Sequence, residues 1–380
     1  MPRRRARALV VAPALALLAV AATACTPLGS PATRQTPAAP RVWDASDPAV
    51  LVVGTDAYLF GSTNNKKVPV RQVQAFDGSL ADSKAAWDAV YSPASQNDAM
   101  PTRPAWVNPT RFGGTWHIWA PSAVKIGPNY YLYFAASRSG ATDTHNDQCI
   151  GRAVASSPMG PYSPGPDPLY CGLPAEAGSN PWGRGALDPE VFRAPGGDLF
   201  LLVSMSRTED SIGVLPLRSD GRIPGGTNAR PTTLVSKQFP WHDGSDDSTL
   251  NRSQGTLENP SMVHEPKTDT YLLFYSAGRW DSAYYNTGFA RCATPTGPCT
   301  KQSDGPFLKS GNGRTGVGGL TAFTMSDGQL RVAYSSWKAG KEPPNNTPNP
   351  DGSLSRQTHW QRISVTDTSS ASAQSVRLVD

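Results

Sequence analysis

The chain has 380 residues, 38% of them hydrophobic and 17% charged, with 35 Gly and 36 Pro. So much glycine and proline opposes a helical fold and suits turn-dense β structure. The formal net charge is +5, but Arg3, Arg4, Arg5 and Arg7 supply four of those charges, which leaves a near-neutral body with no basic field for nucleic acid.

Residues 1–24 read as a signal peptide. The four arginines form a charged start, and Leu9 to Ala22 is an apolar stretch of 14 residues, too short to span a membrane comfortably. Ala22-Thr23-Ala24-Cys25 resembles a bacterial lipoprotein cleavage box, with Ala22 where a branched aliphatic residue is usual. Lipidation of Cys25 is the expectation and cleavage after Ala24 the alternative. Membrane contact is then expected only through that N-terminal lipid. Residues 25–41, rich in Pro, Ala, Thr and Ser, read as a disordered tether.

Residues 42–380 carry a repeat. A short strand, a tight turn and an apolar strand recur five times, roughly 60–75 residues apart. Asp47-Pro48-Ala49-Val50 leads to Tyr58-Leu59-Phe60, and Ala120-Pro121-Ser122-Ala123-Val124 leads to Tyr130–Phe134. Asp188-Pro189-Glu190-Val191-Phe192 leads to Leu199–Val203. Asn259-Pro260-Ser261-Met262-Val263 leads to Tyr271–Tyr275, and Gly319-Leu320-Thr321 leads to Leu330–Tyr334. A unit of this size cannot bury its own face, but units stacked around an axis bury one another. The expectation is an all-β, five-bladed β-propeller, with an outer strand of blade one near Trp87. Cys149 with Cys171 and Cys292 with Cys299 each fall within one repeat, so two local disulfides are expected of an exported protein.

The first strand of each blade lies nearest the axis, so the residues at its start converge. Three acids fall there: Asp47, Asp188 and Glu258. They read as sitting at equivalent positions, with the prolines structural and the acids variable. Asp44 competes with Asp47, but only Asp47 is in register with Asp188. Two carboxyls across a cavity suit glycosidic cleavage: one protonated to donate to the leaving oxygen, one ionised to activate water. A third raises the pKa of the acid by repulsion.

With Ser46–Val50, Trp119–Ser122, Leu187–Phe192, Glu258–Ser261 and Tyr271–Gly278 in this order, the sequence resembles glycoside hydrolase family 43 over nearly all of residues 42–380. The resemblance implies inversion, with Asp47 as general base, Glu258 as general acid and Asp188 as pKa modulator. It implies arabinose- or xylose-containing poly- or oligosaccharides as substrates, and a monomer with no nucleic-acid partner. The alternative is a catalytically inactive propeller that binds envelope or plant glycans. Two departures stand out. Ser122 replaces an acid many members carry in blade two, and Gly316–Gly319 offers no histidine for an axial calcium. No cofactor or metal is therefore expected. Trp119 and Ser122 are the substrate-binding candidates. Trp182, Trp241 and Trp280 are rim candidates, and Arg279 and Arg291 are candidate hydroxyl ligands or ion-pair partners. His242 and His264 read as ordinary surface residues.

Overall fold

The computed structural model describes residues 41–43, 45–73, 97–111, 114–140, 147–173, 185–205, 210–243, 255–302, 305–342, 355–366 and 375–379. The export segment, Cys25, the tether up to residue 40, Asp44, Trp87 and Trp182 lie outside these residues.

Among the described residues β1 (Arg41–Trp43) comes first, and four sheets follow in sequence. Blade one is β2 (Ala49–Val53), β3 (Asp56–Phe60), β4 (Pro69–Val73) and β5 (Asn97–Asp98). Its outer strand is thus at Asn97–Asp98, later in the chain than the sequence reading placed it. Blade two is β6 (Trp119–Ile126), β7 (Asn129–Ser137), β8 (Gln148–Ala155) and β9 (Ser163–Pro164). Blade three is β10 (Leu187–Arg193), β11 (Leu199–Ser204), β12 (Ser211–Leu217) and β13 (Thr232–Ser236). Blade four is β14 (Thr256–Glu265), β15 (Thr270–Gly278), β16 (Asn286–Cys292) and β17 (Cys299–Lys301). Blade five is β18 (Gly318–Thr324), β19 (Leu330–Trp337) and β20 (Arg356–Val365), with β21 (Val376–Val379) on the outer edge of β20.

The ring is closed by the start of the chain. β1 pairs with β20 through Arg41↔Trp360, Val42↔His359 and Trp43↔Thr358, so blade five is built from both ends of the propeller sequence. Thr358 Oγ1 adds a 2.9 Å bond to the carbonyl of Ala45, on the way into blade one. The first strands β2, β6, β10, β14 and β18 touch in a cycle around the axis.

The period of two along each strand sends alternate side chains to opposite neighbours. Phe60 packs between blades one and two, while Leu59 packs between blades one and five. Tyr133 and Leu201 share the interface of blades two and three, and Leu202 and Leu273 that of three and four. Phe274 and Tyr334 meet between blades four and five. Five apolar clusters therefore occupy five blade interfaces, and no blade is stable alone. The disulfides Cys149–Cys171 and Cys292–Cys299 form as expected; the second staples β16 to β17.

His242 is a correction. It is fully buried in a 3-10 turn (Pro240–Asp243), and its Nδ1 accepts the backbone N–H groups of Gln238 and Phe239 at 3.0 and 3.3 Å. Burial pushes its pKa down to about 3. Trp241 stacks on Tyr275 beside it, over Gly288, and so belongs to the blade-four packing and not to a rim.

Closure by β1 carries a prediction. A chain starting at Ala45 should unfold at a Tm several degrees lower than the full chain, because β20 loses a partner and the ring its closure. Calorimetry of the two chains checks this, and equal Tm values would refute it.

Candidate active site

One backbone feature aims the site. Asp47, Ala120, Asp188, Asn259 and Gly319 all have left-handed φ, at 48°, 41°, 50°, 47° and 62°. In blades two to five the ladder between the first two strands shifts register there, between Trp119 and Ser122, Leu187 and Glu190, Glu258 and Ser261, and Gly318 and Thr321. Pro48, Pro121, Pro189 and Pro260 follow directly and donate no ladder hydrogen bond. Such a bulge twists the strand and re-aims its side chains. Asp, Asn and Gly tolerate left-handed φ best, so the conformation itself favours four of the five residues found.

This register corrects the alignment of the acids. Asp47 and Asp188 occupy the left-handed position itself. Glu258 stands one residue earlier, level with Ser46, Trp119, Leu187 and Gly318. Both positions face the axis, so all three carboxyls still converge.

Their partners differ. Asp47 accepts a 2.6 Å hydrogen bond from Ser62 Oγ, which in turn accepts the Ala120 N–H at 2.9 Å. Burial pushes the Asp47 carboxyl above the ordinary range; Ser62, the charge of Arg356 and the Asn259 side chain oppose this. Asp188 Oδ2 accepts the N–H of Asn259 at 3.0 Å, which ties it to the residue beside Glu258. Burial, then the charge of Glu258, then that of Asp47, hold Asp188 well above the usual carboxylate range. Glu258 Oε1 lies 2.7 Å from Tyr285 Oη, which is also 2.5 Å from Asn259 Oδ1.

Two residues here carried no signal in the sequence reading. Tyr285 precedes β16, and its ring fills the space over Gly318, where a Cβ would stand 2.1 Å from Tyr285 Cε1. Arg356 begins β20, buried, with its guanidinium 5.4 Å from the Tyr285 ring and 5.1 Å from that of Trp337. It donates to the carbonyls of Gly316 at 2.7 Å and Ser335 at 3.2 Å. Burial works against its charge, while Tyr285, Asp47 and Glu258 favour it. It is a cation facing Asp47 and Glu258. The bare Gly318-Gly319 pair was the one trace of this arrangement in the sequence.

A second layer lies two residues beyond the left-handed positions along the axis. There Glu190 bonds Ser261 Oγ at 3.2 Å, and Ser122 and Thr321 also hydrogen-bond it. Ser122 Oγ further accepts the Val191 N–H at 3.0 Å. Ser122 is therefore engaged below the acids, which corrects its reading as a sugar contact. Together these layers line an axial cavity open to solvent, walled by Asp47, Asp188, Glu190, Asn259 and Thr321 among others. Among the described residues, no group of three or more His, Cys, Asp or Glu is arranged to hold a metal ion.

Trp119 is half-buried at the start of β6, at the position that Glu258 holds in blade four. Trp280 stands 43% exposed in the turn between β15 and β16, and its carbonyl accepts Arg356 Nη1 at 3.4 Å. Arg279 is paired with Asp281, and Arg291 lies mid-blade on β16 opposite Leu272 and Thr300. His264 pairs with Asp269 at 3.0 Å, away from the site.

Comparison with known proteins agrees with this geometry. The family model of glycosyl hydrolases family 43 matches residues 42–368. The chain belongs to this family. It is 25% identical over 283 residues to an extracellular endo-alpha-(1->5)-L-arabinanase of Thermotoga petrophila, covering 66% of this chain and 50% of that protein. The chain thus spans half the length of that relative. Among solved structures, a thermostable family-43 glycoside hydrolase superposes with a TM-score of 0.61 at 19% identity, covering 90% of this chain and 95% of the other. An endo-1,4-beta-xylanase from Bacteroides thetaiotaomicron gives 0.59 at 19% identity, covering 90% and 96%. At such identities the structural likeness speaks for the five-bladed fold.

Glu190 supplies a test of the axial layer. Burial raises its carboxyl from the ordinary 4.5 to about 7. Between these values the folded chain keeps a proton that the unfolded chain has released. Its contribution is then fully present at low pH and is lost as pH rises through the window. Glu190→Gln should raise Tm relative to the parent more at about pH 8 than at about pH 5. A Tm difference independent of pH would refute the raised value.

Proposed function

We propose that this protein is an inverting glycosidase acting on arabinose- or xylose-containing glycans, with Asp47 as general base, Glu258 as general acid and Asp188 as modulator of the acid. The observation that carries the reading is the convergence of three carboxyls from three blades, each with a different set of partners.

Inversion needs one carboxylate to draw a proton from water while a carboxylic acid on the other face protonates the leaving oxygen. Asp47 suits the base. Ser62, Asn259 and Arg356 all favour its anion, and it is partly open to the cavity. Asp188 and Glu258 are neighbours in the same dry region, and two adjacent buried carboxyls do not both ionise readily. The pair therefore keeps a proton more readily than either carboxyl would alone. The backbone N–H of Asn259 holds Asp188 in place, and Glu258 is the member assigned to deliver a proton to substrate. Arg356 keeps the cluster from carrying the full charge of its acids. Trp119, on the same level as Glu258, is the proposed sugar platform.

The arabinanase relative supports an arabinan-type substrate and an exported protein, in line with the signal-like residues 1–24. The lipid at Cys25 belongs to the same reading. Cys25→Ala should move the protein from the membrane fraction to the medium, and unchanged fractionation would remove the anchor from it.

Glu258→Gln should cut turnover of glycosides with poor leaving groups by about 10²–10⁴-fold and spare aryl glycosides with good ones, which need little protonation. Asp47→Asn should remove both activities, because water must be activated whatever leaves. Proton NMR of the first-formed sugar should show the inverted anomer. A retained anomer, or full activity in Asp47→Asn, would overturn the assignment.

A further inference from the structure

We propose that Tyr285 and Asn259 form a directed hydrogen-bond chain between the acid and the base, which couples the two carboxyls so that a proton on Glu258 goes with an ionised Asp47, and the reverse. The proposal rests on the roles given to these two residues above and adds what enforces them.

The argument is a count of protons. Tyr285 Oη is 2.7 Å from Glu258 Oε1 and 2.5 Å from Asn259 Oδ1. A phenol has one proton to donate. Burial and the charges of Glu258, Asp47 and Asp188 keep that proton on the phenol. Asn259 also reaches Asp47 with its side chain, in a hydrogen bond that favours the Asp47 anion. Only the amide N–H groups can make such a bond, so Nδ2 faces Asp47 and Oδ1 faces Tyr285. An amide oxygen accepts and never donates. The phenol proton therefore lies in the 2.5 Å contact to Asn259.

Tyr285 Oη is then left with acceptor capacity alone. Ser276 hydrogen-bonds it as a donor, and Ser276 Oγ accepts the Gly319 N–H at 2.8 Å. The remaining contact is to Glu258, and for it to be a hydrogen bond Glu258 must donate. The chain reads Glu258 O–H to Tyr285, Tyr285 O–H to Asn259, Asn259 N–H to the Asp47 anion. This is the protonation state that inversion requires before reaction.

The opposite direction is also self-consistent. Tyr285 donates to an ionised Glu258, the Asn259 amide is turned over, and Asp47 carries a proton. That is the state after one turnover: Glu258 has given its proton to the leaving oxygen, Asp47 has taken one from the attacking water, and one glycosidic bond has been exchanged for one sugar hydroxyl. Release of the Asp47 proton to solvent and uptake of one by Glu258 restores the first state. No mixed state satisfies both contacts, so the two carboxyls are protonated in alternation.

The surroundings favour the chain as drawn. The charged or titratable groups facing it are Asp47 at the entry to β2, Asp188 on β10, Glu258 on β14 and Arg356 on β20, with Glu190 in the layer below. Asp188 takes the backbone N–H of Asn259, not its amide, and so stays outside the chain. Gly318 leaves room for the Tyr285 ring. Asn259, at φ 47°, stands where Asn is among the few side chains that fit easily.

The test is the pH profile of kcat/KM for Tyr285→Phe and Asn259→Gly in the full chain, on an aryl α-L-arabinofuranoside and on arabinan. Tyr285→Phe keeps the ring over Gly318, and Gly tolerates the backbone at 259; Tm confirms folding of both. Loss of the phenol oxygen removes the acceptor for neutral Glu258. The limb on which activity falls with rising pH should then move to lower pH by on the order of one unit, and the other limb should stay. Asn259→Gly removes a donor to the Asp47 anion, and the limb on which activity rises with pH should move up. Carbon-13 titration of the Glu258 carboxyl gives the same answer without turnover, with a lower midpoint in Tyr285→Phe. A uniform loss of activity with both limbs in place would reduce Tyr285 to packing. An acid limb that moves up would mean that Tyr285 donates to Glu258, and would overturn the chain. If Asp47→Asn is inactive on both substrates and Glu258→Gln is inactive on arabinan while Tyr285→Phe leaves the profile unmoved, the roles stand and the chain falls. If both variants stay active on arabinan, the roles themselves fall.

Discussion

The structure turns on one backbone device, the left-handed residue at the head of each innermost strand. It breaks the register of the ladder and turns two successive side chains toward the axis. Proline after it, in four blades, keeps the chain from resuming a ladder bond too early. Ala120 is the costly instance, since a Cβ without a polar group gains nothing in that conformation. That the fold accepts it there shows that the device serves the architecture of every blade. The chemistry is added by choosing what stands on it. Strain at a functional centre persists only where the surroundings over-determine it, and here five interlocked blades do so.

The same device gathers ionisable groups where water is scarce. Asp47, Asp188, Glu258, Glu190 and Arg356 face one narrow axis, and buried charge is expensive unless it is paired or hydrogen-bonded. The protein meets this with short, specific contacts. Ser62 serves Asp47, a backbone N–H serves Asp188, three hydroxyls serve Glu190, and two carbonyls and two aromatic rings hold Arg356. Stability is supplied elsewhere, by the apolar clusters between blades. That separation lets the axis keep polar groups in states they would not choose in water.

What the sequence disclosed follows from distance along the chain. The repeat, the turns and the local disulfides are written within tens of residues, and all are present. The acids were found because Asp-Pro and Glu-Asn-Pro fall at repeat starts, although their register was off by one at Glu258; a bulge position is set by φ, which residue letters record only loosely. Features made by remote segments were illegible. β1 is three residues long and meets β20 more than three hundred residues later. Tyr285 and Arg356 stand outside the repeat and reach the acids only once blades four and five are packed. His242 looked like a surface residue because its segment is polar, yet two backbone N–H groups at its Nδ1 make burial as a neutral ring acceptable. Ser122 sat in the right motif but two residues too deep.

The axial geometry also explains why a glycine pair, of all choices, heads blade five. Gly319 lies with Asp47 Oδ1 2.8 Å from where its Cβ would be, and Gly318 lies under the Tyr285 ring. A side chain at either place would displace the proposed base or the aromatic that touches the proposed acid. Blade five therefore contributes absence at the level where blades one, three and four contribute carboxyls. It returns a charge from its third strand instead, through Arg356. The acids come from first strands, whose starts are fixed by the ring. The groups that order them, Ser62, Ser276, Tyr285 and Arg356, come from later strands and turns. Acid placement is thereby tied to the fold, while the ordering of protons among the acids rests on side chains that the fold leaves free to differ.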